Sequence, residues 1–273
     1  MPERAKISDA LPPHLVTRYH IIPEQDRELY EANLHRIKRW GEGGRPETYG
    51  DVSYLPKPEG FSESVLDHTV GMLQMVPHLE GRFPLGREVN WDEVRAMIVI
   101  HDAGEIRVGD APNSGPVRES ARWVVRKNYE TKAVQDLLSK VPNLNLAMWA
   151  MSLHDRYIDR NPNDKEARIA NFLDKAQGTL VTGVTIFNNF RQLGHEKPSE
   201  ELVAHVTTSL AIFREKTANV LHAPLSGRAS LNFRDYVHDL LGNLDQEAYR
   251  APLRIVRVGL DNTFANSTRD KAW

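Results

Sequence analysis

Met97-Ile98-Val99-Ile100-His101-Asp102 is the stretch on which the reading of this chain turns. An apolar run leads directly into an imidazole and a carboxylate. Trp91 to Ala103 predicts a helix, with Asn90 or Asp92 as its cap and Val94, Met97, Ile98 and Ile100 buried. His101 and Asp102 therefore fall at the buried end of an apolar helix. Burying either one unpaired is costly, the carboxylate most of all. A divalent cation removes that cost by taking both as ligands.

Two other segments supply matching donors. Upstream, Ser62 to Leu79 predicts a helix capped by Ser62, with Val65, Leu66, Thr69, Met72, Leu73 and Met75 on its inner surface. His68 shares that face with Val65, Met72 and Met75. Downstream, Lys165 to Leu193 predicts a long helix with Ile169, Phe172, Leu173 and Ala176 inside, and Asp174 lies within that stripe. Three helices each offer hard or borderline ligands to one core. Two imidazoles and two carboxylates leave coordination positions open for water and a substrate oxygen. Such a layout suits acidifying a water and polarising a phosphoryl group. The chain has no cysteine, which excludes disulfides, thiolate catalysis and Cys-based zinc sites. One divalent ion per chain is expected, drawn from Mn, Co, Ni, Fe, Zn or Mg.

The rest of the chain reads as helical too, and the fold class is all-α: a helical bundle with a mostly helical C-terminal extension. Residues 1–23 read as an irregular arm broken by Pro12, Pro13 and Pro23. A first helix covers Glu24 to Trp40. Gly41 to Gly60 is a Gly- and Pro-rich loop, long enough to act as a flap over a site. Gly104 to Pro116 reads as a loop, followed by helices at Val117 to Lys140, Leu144 to Asp159, Ser199 to His222 and Asn232 to Leu241. Arg254 to Leu260 carries β-branched residues and reads as a short strand. The domain division is residues 1–23 as the arm, 24–222 as the main domain and 223–273 as an extension packed on it.

Composition narrows the partners. Lys plus Arg is 35 and Asp plus Glu is 37 among 273 residues, a formal net charge of -2. That balance offers no basic excess for a nucleic-acid polymer. No run approaches the ~20 apolar residues of a membrane span, and Met1 to Pro13 lacks the apolar core of a secretory signal. With zero cysteine, a cytoplasmic location is expected.

The pattern His68, His101-Asp102, Asp174 resembles the HD-domain phosphohydrolase superfamily. The likeness extends to its bacterial 5′-deoxynucleotidase branch: Arg39-Trp40 at the end of a first helix, Ser64-Val65-Leu66-Asp67-His68, His101-Asp102-Ala103-Gly104-Glu105 followed by Asp110, and Asp174-Lys175-Ala176. It covers about Glu24 to Leu193. The resemblance implies that His68, His101, Asp102 and Asp174 bind the metal. It implies that Glu105 is a general base or orients the attacking water, and that Asp110 contacts the water or the leaving sugar hydroxyl. Arg39 would neutralise the substrate phosphate and Trp40 shape the pocket against the sugar. Glu105 falls three residues after a ligand, within reach of the site, and Arg39 offers charge-assisted bonds to phosphate. Arg118 and Arg122, which follow the catalytic loop, are further candidates for the phosphate. The implied substrate is a (deoxy)nucleoside 5′-monophosphate, and the implied assembly a homodimer. Three departures bear on substrate choice: a longer loop between Trp40 and Ser64, Asp67 where Glu is common, and about 75 C-terminal residues outside the match.

Plainer readings stand beside these. A lone His68 is more often a satisfied core histidine, and Glu105 a solvated loop carboxylate. Asp110 before Ala111-Pro112 fits a turn residue. Arg118 to Lys127 fits a solvated helix face. The second pair, His154-Asp155, reads as capping or surface hydrogen bonding. Rival functions are a dNTP triphosphohydrolase, an HD-fold nucleotide-binding protein without turnover, and a di-iron oxygenase. The last needs extra histidines, and His154 is the only one between residues 103 and 173.

Overall fold

A computed structural model describes residues 6–37, 39, 63–83, 88–109, 121–159, 161–192 and 200–242, with helical residues 121–124, 126, 181–192, 200–206 and 208 described for their backbone only. Among the described residues there are eleven helices and no strand: α1 Ile7–Ala10, α2 Pro13–Tyr19, α3 Glu24–Arg36, α4 Val65–Glu80, α5 Trp91–Ile100, α6 Glu105–Val108, α7 Ala121–Leu138, α8 Leu144–Asp159, α9 Lys165–Gln192, α10 Glu200–Leu221 and α11 Gly227–Gly242. The all-α expectation holds. No described helix is long and apolar enough to cross a membrane. The Arg254 to Leu260 strand and the Gly41 to Gly60 flap fall outside the described residues.

The chain divides into two compact units, one of Met1–Lys57, Ser62–Gln74 and Arg95–Asp159, the other of Pro58–Phe61, Met75–Val94 and Arg160–Trp273. In the first, the N-terminal residues correct the sequence reading. They are helical, not irregular, and they bury Ile7, Leu15 and Tyr19. Pro13 begins α2, where the missing N–H is an orphan in any helix, so it starts the helix rather than breaking one. Glu31 on α3 ties the arm down by accepting from the Ile7 N–H at 3.2 Å and the Tyr19 hydroxyl at 2.9 Å.

Helix α4 begins at Val65, and its N-cap is Ser64, not Ser62, which lies outside the described residues. Ser64 donates both its N–H (2.9 Å) and its hydroxyl (2.7 Å) to Asp67 Oδ2, and its Oγ accepts from the Asp67 N–H at 3.1 Å. This is a reciprocal capping box closed by Asp. The short side chain at position 67, a departure at the sequence level, completes the cap here.

In the second unit, Phe172 on α9 gathers the core. Its ring meets Phe213 of α10 at 5.5 Å, Phe233 of α11 at 4.9 Å and Tyr236 of α11 at 6.4 Å. Contacts of this type are worth about 0.5–1.5 kcal/mol each beyond area burial. Helix α11 starts at Gly227, five residues before the expected Asn232, because Ala229, Ser230 and Phe233 already face this core.

Candidate metal centre

Helix α4, the turn after α5 and helix α9 each carry one donor of the centre. The capping box fixes the first turn of α4, and the His68 N–H bonds back to the Ser64 carbonyl at 3.0 Å. His68 is fully buried. Helix α5 ends at Ile100, so His101 and Asp102 occupy the turn that follows it. The His101 ring packs against His68, with centroids 5.5 Å apart. Asp174 is buried on α9, and Lys175 Nζ reaches its Oδ2 at 2.7 Å. One nitrogen each from His68 and His101 and one oxygen from Asp174 lie within 4.8 Å of one another.

Asp102 is not among those three. Its Oδ2 lies 2.9 Å from His101 Nε2, and its side chain is partly exposed. The tautomer of His101 makes this contact informative. Its Nδ1–H donates to the Ile98 carbonyl at 2.7 Å, and a carbonyl can only accept. Neutral His101 therefore turns the Nε2 lone pair toward the Asp102 oxygen. Two lone pairs at that distance repel unless a proton or a cation joins them. Backbone anchoring of one imidazole nitrogen to free the other is the usual setting of a histidine ligand. The imidazole and carboxylate donors fit a borderline or hard divalent ion.

Around these donors the structure adds residues that sequence reading missed. Tyr30 of α3 donates its hydroxyl to the Val99 carbonyl at 2.6 Å. Burial, with the Asp102 charge next in importance, pushes its ionisation far above the ordinary tyrosine range, so it stays a neutral donor. A tyrosine on the apolar face of a helix always needs a partner for its hydroxyl, and that was the available signal. Tyr157 of α8 sets its ring edge-on to His101 at 5.6 Å.

Glu105 opens α6, a short helix where a loop was expected; its N–H bonds to the Asp102 carbonyl at 2.9 Å. The helix ends on Gly109 at φ 74°, a conformation that favours glycine. Gly104 has ordinary helical torsions but lies against α7: a Cβ there would meet Glu130 Cα and Cβ at 2.7 Å and its carbonyl oxygen at 2.8 Å. Glu130 is buried and accepts from Lys127 Nζ at 2.5 Å.

The remaining candidates divide. Residues 37–39 pair with 63–65 through Arg39 N–H to Glu63 O (3.1 Å) and Val65 N–H to Ile37 O (3.0 Å). The Arg39 guanidinium lies 3.8 Å from the Glu63 carboxylate, and both side chains are largely covered. Trp40, Asp110 and Arg118 lie outside the described residues, as does the side chain of Arg122. His154 corrects its sequence reading. It is buried at 3% exposure, not a surface hydrogen-bonding residue, and Asp155 at 3.8 Å is beyond hydrogen-bond range. The periodicity of α8 places it between Ala150 and Tyr157, on the inward face. Burial holds its pKa below the ordinary histidine value, opposed by Asp155.

A family model described as an HD domain matches residues 53–192, just over half of the 273 residues. No curated protein and no solved structure matches the chain.

Proposed function

The chain belongs to the HD-domain family, whose members are generally metal-dependent hydrolases, and on that premise we propose that it hydrolyses the phosphate ester of (deoxy)nucleoside 5′-monophosphates. The observation that carries the reading is the buried His68, His101 and Asp174 group, with Asp102 against His101 and Glu105 three residues on. His68, His101, Asp102 and Asp174 would hold one divalent ion. When bound, that ion supplies Lewis-acid charge for the phosphoryl oxygens and acidifies a water.

The chain's own residues account for the rest. His101 donates its Nδ1–H to the Ile98 carbonyl, which leaves Nε2 for the centre. Glu105 stands at the first position of α6, fixed through its amide to Asp102, and is the group that takes the proton of the attacking water. Arg39 provides the fork for the phosphate and shares its charge with Glu63, which limits how much anionic charge it accommodates. One such compensated arginine suits a monophosphate better than a triphosphate. Trp40 and Asp110 take the sugar side, as the motif resemblance implies. A homodimer in the cytoplasm completes the proposal.

The test is a phosphate-release screen over nucleoside mono- and triphosphates with Mn, Co, Ni, Fe, Zn and Mg, run beside Asp102→Ala. Inorganic phosphate from dAMP, abolished by Asp102→Ala with helical content retained, is the expected result. Triphosphate released from dATP would move the assignment to a triphosphohydrolase. Nucleotide binding without turnover under every metal would leave a sensor.

A further inference from the structure

The first unit contains a cavity that the proposed reaction does not use. It is walled by Leu15 and Ile22 from the N-terminal segment, Val99 and Ile100 from α5, and Trp149 and Ala150 from α8. Its volume is about 90 Å³, and only apolar atoms face its interior. It opens to solvent on one side, and a water inside would find no polar partner on its wall. It is smaller than the ~150 Å³ engineered cavity that takes benzene, so it fits a short alkyl chain better than a ring.

One charge marks its edge. Arg18 of α2 is exposed yet lines the same cavity, and its guanidinium lies over the Trp149 ring at 5.2 Å from the centroid. Among the described residues no carboxylate lies within ion-pair distance of it. Stacking on an aromatic face leaves the in-plane N–H donors of a guanidinium available for an anion. An apolar hollow with one cation at its edge is complementary to an amphiphile with a short alkyl tail and a single anionic head.

We propose that this cavity binds a short-chain aliphatic carboxylate, its alkyl end against Val99, Ile100 and Ala150 and its carboxylate on Arg18. A ligand there packs on the last turn of α5, directly before His101 and Asp102. The proposal is independent of the reaction assigned above, since its test reads binding alone.

The experiment is isothermal titration and ligand-observed NMR on the full chain with butanoate, pentanoate, hexanoate and octanoate, each beside its neutral amide. Affinity should rise about four-fold per methylene while the added carbon is still buried, then level off once the tail outgrows the cavity. Hexanoate should bind about ten-fold more tightly than hexanamide. Arg18→Gln, a surface change that leaves the core intact, should erase that preference while retaining amide binding. Ala150→Phe should abolish binding of both, with circular dichroism confirming the fold. Three results would each overturn the proposal: no binding by the wild-type chain at 10 mM ligand, equal affinity for acid and amide, or undiminished binding in a folded Ala150→Phe variant.

Discussion

Replacing Gly104 by alanine separates two physical accounts of this protein because they give opposite signs. The torsions at Gly104 are φ -63° and ψ -28°, which any L residue adopts. Judged from local conformation alone, Gly104→Ala should stabilise by about 0.4–1 kcal/mol, since it reduces the freedom of the unfolded chain. The tertiary structure predicts the reverse. The added methyl would sit 2.7 Å from Glu130 Cα and Cβ and 2.8 Å from its carbonyl oxygen. Carbon atoms in contact prefer ~3.5–4.0 Å, so the turn and α7 must separate by roughly 1 Å. Backbone atoms cannot swing aside as a side-chain end would. Overpacking of this kind costs about 1–3 kcal/mol. The same displacement moves the turn that carries His101, Asp102 and Glu105, and a misplacement on the order of 1 Å costs up to about 100-fold in rate. The assay is urea unfolding paired with kcat for the nucleotide found in the screen. Gly227→Ala is the comparator, because a methyl there meets nothing within 4 Å. A Gly104→Ala protein as stable and as fast as wild type would refute the claim that this close approach positions the site.

Three other perturbations read other parts of the structure. Ser64→Ala removes the α4 capping box and should cost about 1 kcal/mol by chemical denaturation; divalent-ion affinity should fall with it, because His68 loses its fixed turn. Tyr30→Phe deletes the 2.6 Å bond to the part-buried Val99 carbonyl and should destabilise by about 1 kcal/mol in the same assay. For His154 the sign follows from a pKa held below its unfolded value by burial. The fold then favours the neutral ring, so this contribution is complete above about pH 6.5 and is lost as pH falls through the lower folded value. His154→Gln should therefore flatten the stability profile between neutral and mildly acidic pH, and an unchanged slope there would remove His154 as the cause.

The helices were legible in the sequence because an apolar stripe repeating every three to four residues has few other ways to bury itself. Helix α8 occupies the residues the pattern gave it, and α9 differs by one residue at its end. The ligand types were legible for a related reason: His68, His101 and Asp174 stand on faces where a polar group without a partner is too costly to keep. What the pattern misplaced was local. Ser62 and Ser64 are equally good caps on paper, and only the bonds to Asp67 distinguish them. Residues 7–19 looked irregular because their prolines mark breaks in isolation, whereas packing of Ile7, Leu15 and Tyr19 turns those breaks into helix starts.

By itself the sequence determined an all-helical chain and the donor types at its centre, since both follow from the chemistry of single residues at helical spacing. Only the tertiary structure decided that Tyr30 holds the Val99 carbonyl, that Gly104 must lack a side chain because α7 passes against it, and that His154 is buried. Those facts belong to pairs of residues far apart in the chain. No periodicity encodes the distance between two helices, which is fixed when the core closes.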